Sequence, residues 1–246
     1  MPALLPFFLA LLLVWIAFAA LCHRLSGAFR ADPISDLAWG LSQIYVRVVH
    51  RLRVCGPEHL RAARRVPGPL VIVSNHTAGV DPVLIQSICP FEIRWMMMRS
   101  MMTPALRSLW DWLRIIPVDQ DGRDSNAVRT ALRHLRGGGA LGIFAEGGIE
   151  RPPQTIMPFE PGVGLLVLKS GALVLPVVIR GTPRCDSAFA SLLRPSRATV
   201  EFLPPIDFSR SGLSAQDIAS DLELLAARSL DWPRAPRPPR EPLEHE

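Results

Sequence analysis

The sequence predicts an α/β fold, with a mixed, largely parallel sheet covered by helices and an N-terminal membrane-anchoring helical segment. Three observations carry that expectation. Short apolar runs alternate with helical segments from about residue 68 onward, the first twenty-odd residues form one uncharged apolar run, and 49% of the chain is apolar. At 246 residues there is room for one sizeable α/β domain plus an appendage. The formal charge of +5 comes almost entirely from arginine, Lys169 being the only lysine. Such a balance suits anionic lipid or nucleic acid, so the placement of the charge has to decide. The four cysteines (Cys22, Cys55, Cys89, Cys185) are scattered. That argues against a zinc site or a disulfide framework and suits a reducing compartment.

Ala3 to Cys22 carries no charge and matches the ~30 Å of a bilayer core, so a transmembrane helix is expected over 3–22. His23, Arg24 and Arg30 follow it and no basic residue precedes it, which places the rest of the chain on the cytoplasmic side. The rival reading is a cleaved signal peptide with Ala17-Phe18-Ala19 as its site, but the leading positive charge is missing. Leu37, Leu41, Ile44, Tyr45, Val48, Val49 and Leu52 then form one stripe of a helix over 35–53, capped by Ser35, with Asp36, Gln43, Arg47, His50 and Arg51 on the other side. Such a helix either lies in the head-group region or packs on the soluble domain. Arg61, Arg64 and Arg65 continue the basic strip close to the membrane, without interleaved aromatic residues. Lipid, and no nucleic acid, is therefore the expected partner.

Beyond the anchor (1–55), the domain expected over 56–232 reads as alternating elements. Strands are expected at Pro69–Ser74, Ile93–Met98, Ile115–Val118, Ala140–Ala145, Leu173–Ile179 and Ala198–Leu203, the last at an edge. Helices are expected at Val83–Ile88, Thr103–Leu113, Ser125–Arg136, Val163–Ser170 and Ser214–Ser229. The Arg-Pro-rich tail, 233–246, reads as disordered.

Functional groups in open α/β sheets gather where strands end and helices begin. At the first such junction, Asn75-His76 leaves a strand and Asp81 stands just before Pro82. Asp81 either caps the next helix or folds back onto one imidazole nitrogen of His76, leaving the other free to take a proton from a hydroxyl. At the second, Glu146-Gly147-Gly148 ends a buried strand, either as a plain turn or as a place where backbone N–H groups approach a polar head group. At the third, Pro176 inside an apolar run suggests a bend or an edge strand.

In order, these residues resemble the glycerolipid acyltransferase family, whose bacterial type member converts 1-acylglycerol 3-phosphate to phosphatidate. Asn75, His76 and Asp81 match its N-H-x4-D motif, Phe144, Glu146 and Gly147 part of F-P-E-G-T-R, and Leu175-Pro176-Val177 its apolar V-P-V stretch. Phe159 and Gly162 fit an F-x-x-G step. The resemblance implies a membrane-bound enzyme of the bacterial inner-membrane type, single-pass and facing the cytoplasm. It implies direct transfer of a fatty acyl group from acyl-CoA or acyl carrier protein to the hydroxyl of a lysolipid, first of all 1-acylglycerol 3-phosphate. His76 would be the base and Asp81 its orienting carboxylate, with Asn75, Glu146, Gly147, Gly148, Arg123 and Arg151 holding substrate. Neither a metal nor a tightly bound cofactor is implied. The chain departs from the pattern at Gly148, Ile149 and Gln120, where the family has threonine and two arginines, and Glu160 stands where a basic residue is common. Those positions are associated with the acceptor phosphate, so another lysolipid, such as a lyso-ornithine lipid, or an inactive lipid-binding protein is the alternative.

Overall fold

The computed structural model describes residues 32–119, 125–185 and 187–237. The transmembrane helix expected at 3–22 lies outside them, as do Gln120 and Arg123. Among the described residues no helix is long and apolar enough to cross a membrane.

The first helix, α1 (Pro33–Val48), starts two residues earlier than expected and stops five short of residue 53. Its cap is Asp32 rather than Ser35: the Ser35 N–H donates to Asp32 Oδ1 at 2.8 Å, and Pro33 supplies the first-turn φ. The side expected to be polar is also partly buried, since Asp36 and His50 have no exposure. Trp39 donates its indole N–H to the Gln86 carbonyl and Val46 enters the core, so α1 packs on the domain by that side. Part of its apolar stripe points outward instead, with Leu41 56%, Ile44 59% and Val48 71% exposed beside Ile34 at 72%, while Tyr45 packs against the core.

The elements that follow are β1 (Arg53–Cys55), α2 (Pro57–Arg65), β2 (Leu70–Ser74), α3 (Asp81–Ile88), β3 (Ile93–Met98), α4 (Arg107–Trp112), β4 (Ile116–Val118), α5 (Ser125–Arg136), β5 (Ala140–Phe144), α6 (Gly162–Ser170), β6 (Leu173–Arg180), α7 (Ala190–Leu193), β7 (Thr199–Phe202) and α8 (Ala215–Leu230). The helix expected over 103–113 forms only as α4, behind a 3-10 turn at Pro104–Leu106. None of its residues is buried, so no core face draws the whole stretch into a regular helix.

Seven strands form one sheet in the order β1-β7-β6-β2-β5-β3-β4. It is mixed and mostly parallel, with β7 antiparallel to β6 and β1 parallel to β7. Two expectations change here. Strand β7 is not an edge, because β1, a three-residue strand too short to stand out in the sequence, lies outside it. Pro176 lies in the interior strand β6, paired with Val73. Its missing N–H faces a slip in register, where β7 gains one residue between the Val177↔Phe202 pair and the Val174↔Ile206 bridge. A bulge tolerates proline without an edge, and the Pro176 carbonyl still accepts from Leu203 at 2.9 Å.

Apolar side chains from both faces of the sheet build two cores. Val71, Val73, Leu141 and Ile143 meet α5, α6 and α8 on one side. Ile72, Leu175, Val177 and Ile179 meet α1, α2 and α3 on the other. Both faces are covered, which is why the central strands read as unbroken apolar runs. The start of the tail is not free either. Ile156 N–H donates to the Pro233 carbonyl and Ala235 N–H to the Ile156 carbonyl, while Arg234 and Arg237 contact Glu223. The expected boundaries at 55 and 233 thus both fall within this hydrogen-bonded unit.

Candidate active site

After β2 the chain crosses β5 to reach β3, and after β5 it crosses β2 to reach β6. The carboxyl ends of these neighbours, in register at Ser74↔Phe144, thus open a crevice where the connections part in opposite directions. His76 leaves one strand end and Glu146 the other.

Asn75 is wholly buried and spends both ends of its amide on Ile179. Its Nδ2 donates to the Ile179 carbonyl at 3.0 Å, and its Oδ1 accepts the Ile179 N–H at 2.8 Å. It continues the β2–β6 pairing by one step and fixes the point from which His76 departs. His76 is the more exposed of the pair at 17%, against 0% for Asp81. Asp81 is the first residue of α3 rather than its cap; Val80 holds that place. The Asp81 carboxylate turns back on the loop, where Oδ2 receives His76 Nδ1 at 2.9 Å, the Thr77 N–H at 2.6 Å and the Ala78 N–H at 2.9 Å. The Thr77 hydroxyl donates to Oδ1 at 3.2 Å and meets the Thr182 hydroxyl at 2.7 Å. An oxygen of this kind accepts, so Nδ1 carries a ring proton, and in the neutral imidazole the lone pair falls on Nε2.

Behind the imidazole lies a stack of rings: His76 on Phe144 at 4.1 Å between centroids, and Phe144 on Trp95 at 5.0 Å, with interplanar angles of 16° and 12°. Gly142 makes room for it, because a Cβ there would fall 2.4 Å from Trp95 Cε3. The imidazole is thus held edge-on by a carboxylate and face-on by an aromatic ring.

Glu146 ties three segments together. Its Oε1 accepts the His76 N–H at 3.0 Å and its Oε2 the Met157 N–H at 3.1 Å. Its carboxyl is raised to about 8: burial pushes it up most, the two N–H groups pull it down, and the neighbouring charges of Glu150 and Asp81 add to the rise. Gly147 turns the chain with φ 70, a left-handed conformation that suits glycine. Gly147 is exposed and Gly148 half-buried, so both leave the mouth open, while Arg151 is exposed beyond them.

The structure therefore brings His76, Asp81, Asn75, Glu146, Gly147 and Gly148 to one place and sets Asn75 and Glu146 among the groups that shape it. Sequence reasoning passed over Thr77, Trp95 and Glu150 as site residues. Glu150 donates its N–H to the His76 carbonyl at 2.8 Å and is buried. Its position two residues after a strand-end Gly-Gly turn was the available signal.

The sequence profile of the Acyltransferase family matches residues 51–180. Among similar proteins, the 1-acyl-sn-glycerol-3-phosphate acyltransferase of Limnanthes douglasii is 23% identical over 217 residues, covering 76% of this chain and 74% of its own length. That of Limnanthes alba is 21% identical over 216 residues with the same coverage. The crystal structure of the 1-acyl-sn-glycerophosphate (LPA) acyltransferase from Thermotoga maritima superposes with a TM-score of 0.63 at 19% identity, covering 94% of this chain and 97% of that one.

Proposed function

The chain belongs to the acyltransferase family and is an acyltransferase enzyme, and from that premise we propose that it moves a fatty acyl group from a thioester to the free hydroxyl of a lysolipid. The observation that carries this reading is the His76–Asp81 pair, with Nδ1 on the buried carboxylate at 2.9 Å. Nε2 takes the proton of the acceptor hydroxyl as its oxygen attacks the thioester carbonyl carbon. The carbon–sulfur bond breaks, the imidazolium returns the proton to the departing thiolate, and the products are an ester and a free thiol. Asp81 holds the tautomer and stabilises the imidazolium. Asn75 and Glu146 position the strand ends, and Gly147, Gly148 and Arg151 line the approach of the head group. The donor is acyl-CoA or acyl carrier protein, and no cofactor takes part in these steps.

The acceptor that the relatives' names suggest is 1-acylglycerol 3-phosphate, giving phosphatidate. A second reading, a lysolipid with another head group, is favoured by one observation: Asp81, Glu146 and Glu150 crowd the site with acidic groups. The enzyme works at a bacterial-type inner membrane as a single-pass protein facing the cytoplasm. Supporting this are the uncharged run 3–22 and the four apolar side chains that α1 turns away from the domain. Membranes containing the protein should transfer a labelled acyl group from a thioester to a lysolipid, and His76→Ala, folded by thermal unfolding, should not. Equal transfer by that variant would sink the reading.

A further inference from the structure

Two glutamates that join separate segments engage both carboxyl oxygens. Glu146 divides its two between His76 and Met157, and Glu223 does the same with Arg234 on Oε1 and Phe159 and Arg237 on Oε2. Glu150 is different. It is only 8% exposed, its Oε1 accepts the Gln154 N–H at 2.8 Å, and its buried Oε2 has no hydrogen-bond partner among the described residues. A buried polar atom left in this way asks for an explanation.

Two features tie the unanswered oxygen to the catalytic centre. The Glu150 N–H is hydrogen-bonded to the carbonyl of His76, so the backbones of the two residues touch. The carboxyl also lies within electrostatic range of His76, Asp81 and Arg184. The turn that holds it looks built for the purpose. Gln154 takes a left-handed φ of 61, unusual for a residue with a side chain, while its N–H donates to Oε1. Residues 151–154 are exposed, so the turn that follows Glu150 borders solvent.

The surrounding charge decides what would answer that oxygen. Asp81 adds negative charge beside Glu150, against the exposed Arg184. Such a neighbourhood attracts a hydrogen-bond donor, and a cationic one most, and it repels a dianion.

We infer that Glu150 is a specificity-determining residue whose free Oε2 accepts a hydrogen bond from the acceptor head group, selecting lysolipids that carry a donor, above all an ammonium, over those that end in a phosphate monoester. This rests on the acyl-transfer reading of the His76 site.

The test gives the full-length protein, with one acyl-CoA, three acceptors sharing the same 1-acyl chain: one ending in a phosphate monoester, one in an ethanolamine ammonium and one in hydroxyls only. The wild type should favour the ammonium acceptor over the phosphate monoester by about tenfold or more in kcat/KM, the hydroxyl acceptor falling between. Glu150→Gln, which keeps the shape and removes the charge, should erase most of that preference, chiefly through KM, and Glu150→Arg should turn it toward the phosphate. A merely structural glutamate would lower all three acceptors alike. A wild-type preference for the phosphate monoester overturns the inference, as does an unchanged ratio in a folded Glu150→Gln. If neither variant folds, the wild-type ranking alone decides. Absence of transfer to all three acceptors overturns the acyl-transfer reading, and the inference with it.

Discussion

In the turn after β2, Asp81 Oδ2 receives three donors within 2.9 Å and His76 is fixed on two sides. In the turn after β5, Glu150 keeps one carboxyl oxygen without a partner among the described residues, and Gly147 and Gly148 offer little side chain at all. The first turn is complete without a substrate, as a base must be if it is to act at once on any bound hydroxyl. The second turn is incomplete in the way a recognition surface is. On the proposed reading, the chemistry and the choice of acceptor sit on different strand ends, so either can change while the other stays.

The largest expected effect comes from stripping the first turn. Asp81→Ala should lower transfer by on the order of 10²–10⁴-fold, because the imidazole loses its tautomer and its counter-charge. It should also cost stability, about 1–3 kcal/mol for each buried donor left unpaired, read from denaturant unfolding. Near-normal transfer in that variant would erase the contrast between the turns. Next comes Asn75→Ala, which strands the N–H and carbonyl of Ile179 in the interior. A loss of about 2–4 kcal/mol is expected, and a loss below about 0.5 kcal/mol would mean that Asn75 does not clamp the strand ends.

The third prediction concerns acid and base. Glu146 has its carboxyl raised from 4.5 to about 8, and Glu150 is raised too, burial leading in both. A carboxyl raised in the folded state takes up a proton on folding. Its contribution is therefore most favourable below about pH 4.5 and declines as the pH climbs to about 8, after which it is flat. One group gives at most about 1.4 kcal/mol per pH unit. Stability measured from pH 5 to 8 should fall, and the slope should be shallower in Glu146→Gln; identical slopes would remove Glu146 as the cause. The smallest effect lies far from both turns. Leu41→Glu on the outward face of α1 should lower transfer to vesicle-embedded lysolipid by about three- to tenfold and leave transfer to a short-chain, dissolved lysolipid unchanged. An equal drop on both would show that this face does not meet the membrane.

What could be read in the sequence follows from these physical differences. Strands buried on both faces announce themselves, and Ile93–Met98 appears within its expected bounds, as does the strongly amphipathic Ser125–Arg136. His76 and Asp81 were legible because strand, loop and proline-led helix fix their spacing. The sequence could not show β1, three residues long and held at the edge only by β7. Pro176 misled because a proline that faces a bulge looks the same as one at an edge. The order at 233–237 depends on contacts with Ile156 and Glu223, distant in sequence, which composition does not register. Glu150 carries no motif of its own; its meaning lies in a missing partner, and only a structure reveals that.

The separation of chemistry from recognition is tested most directly by one matrix of kcat/KM values, with wild type, His76→Ala and Glu150→Gln each against the phosphate-monoester, ammonium and hydroxyl acceptors. The account predicts that His76→Ala lowers every acceptor by a similar large factor, while Glu150→Gln changes their ratio by about tenfold. A uniform drop in Glu150→Gln, or a changed ratio in His76→Ala, would contradict it.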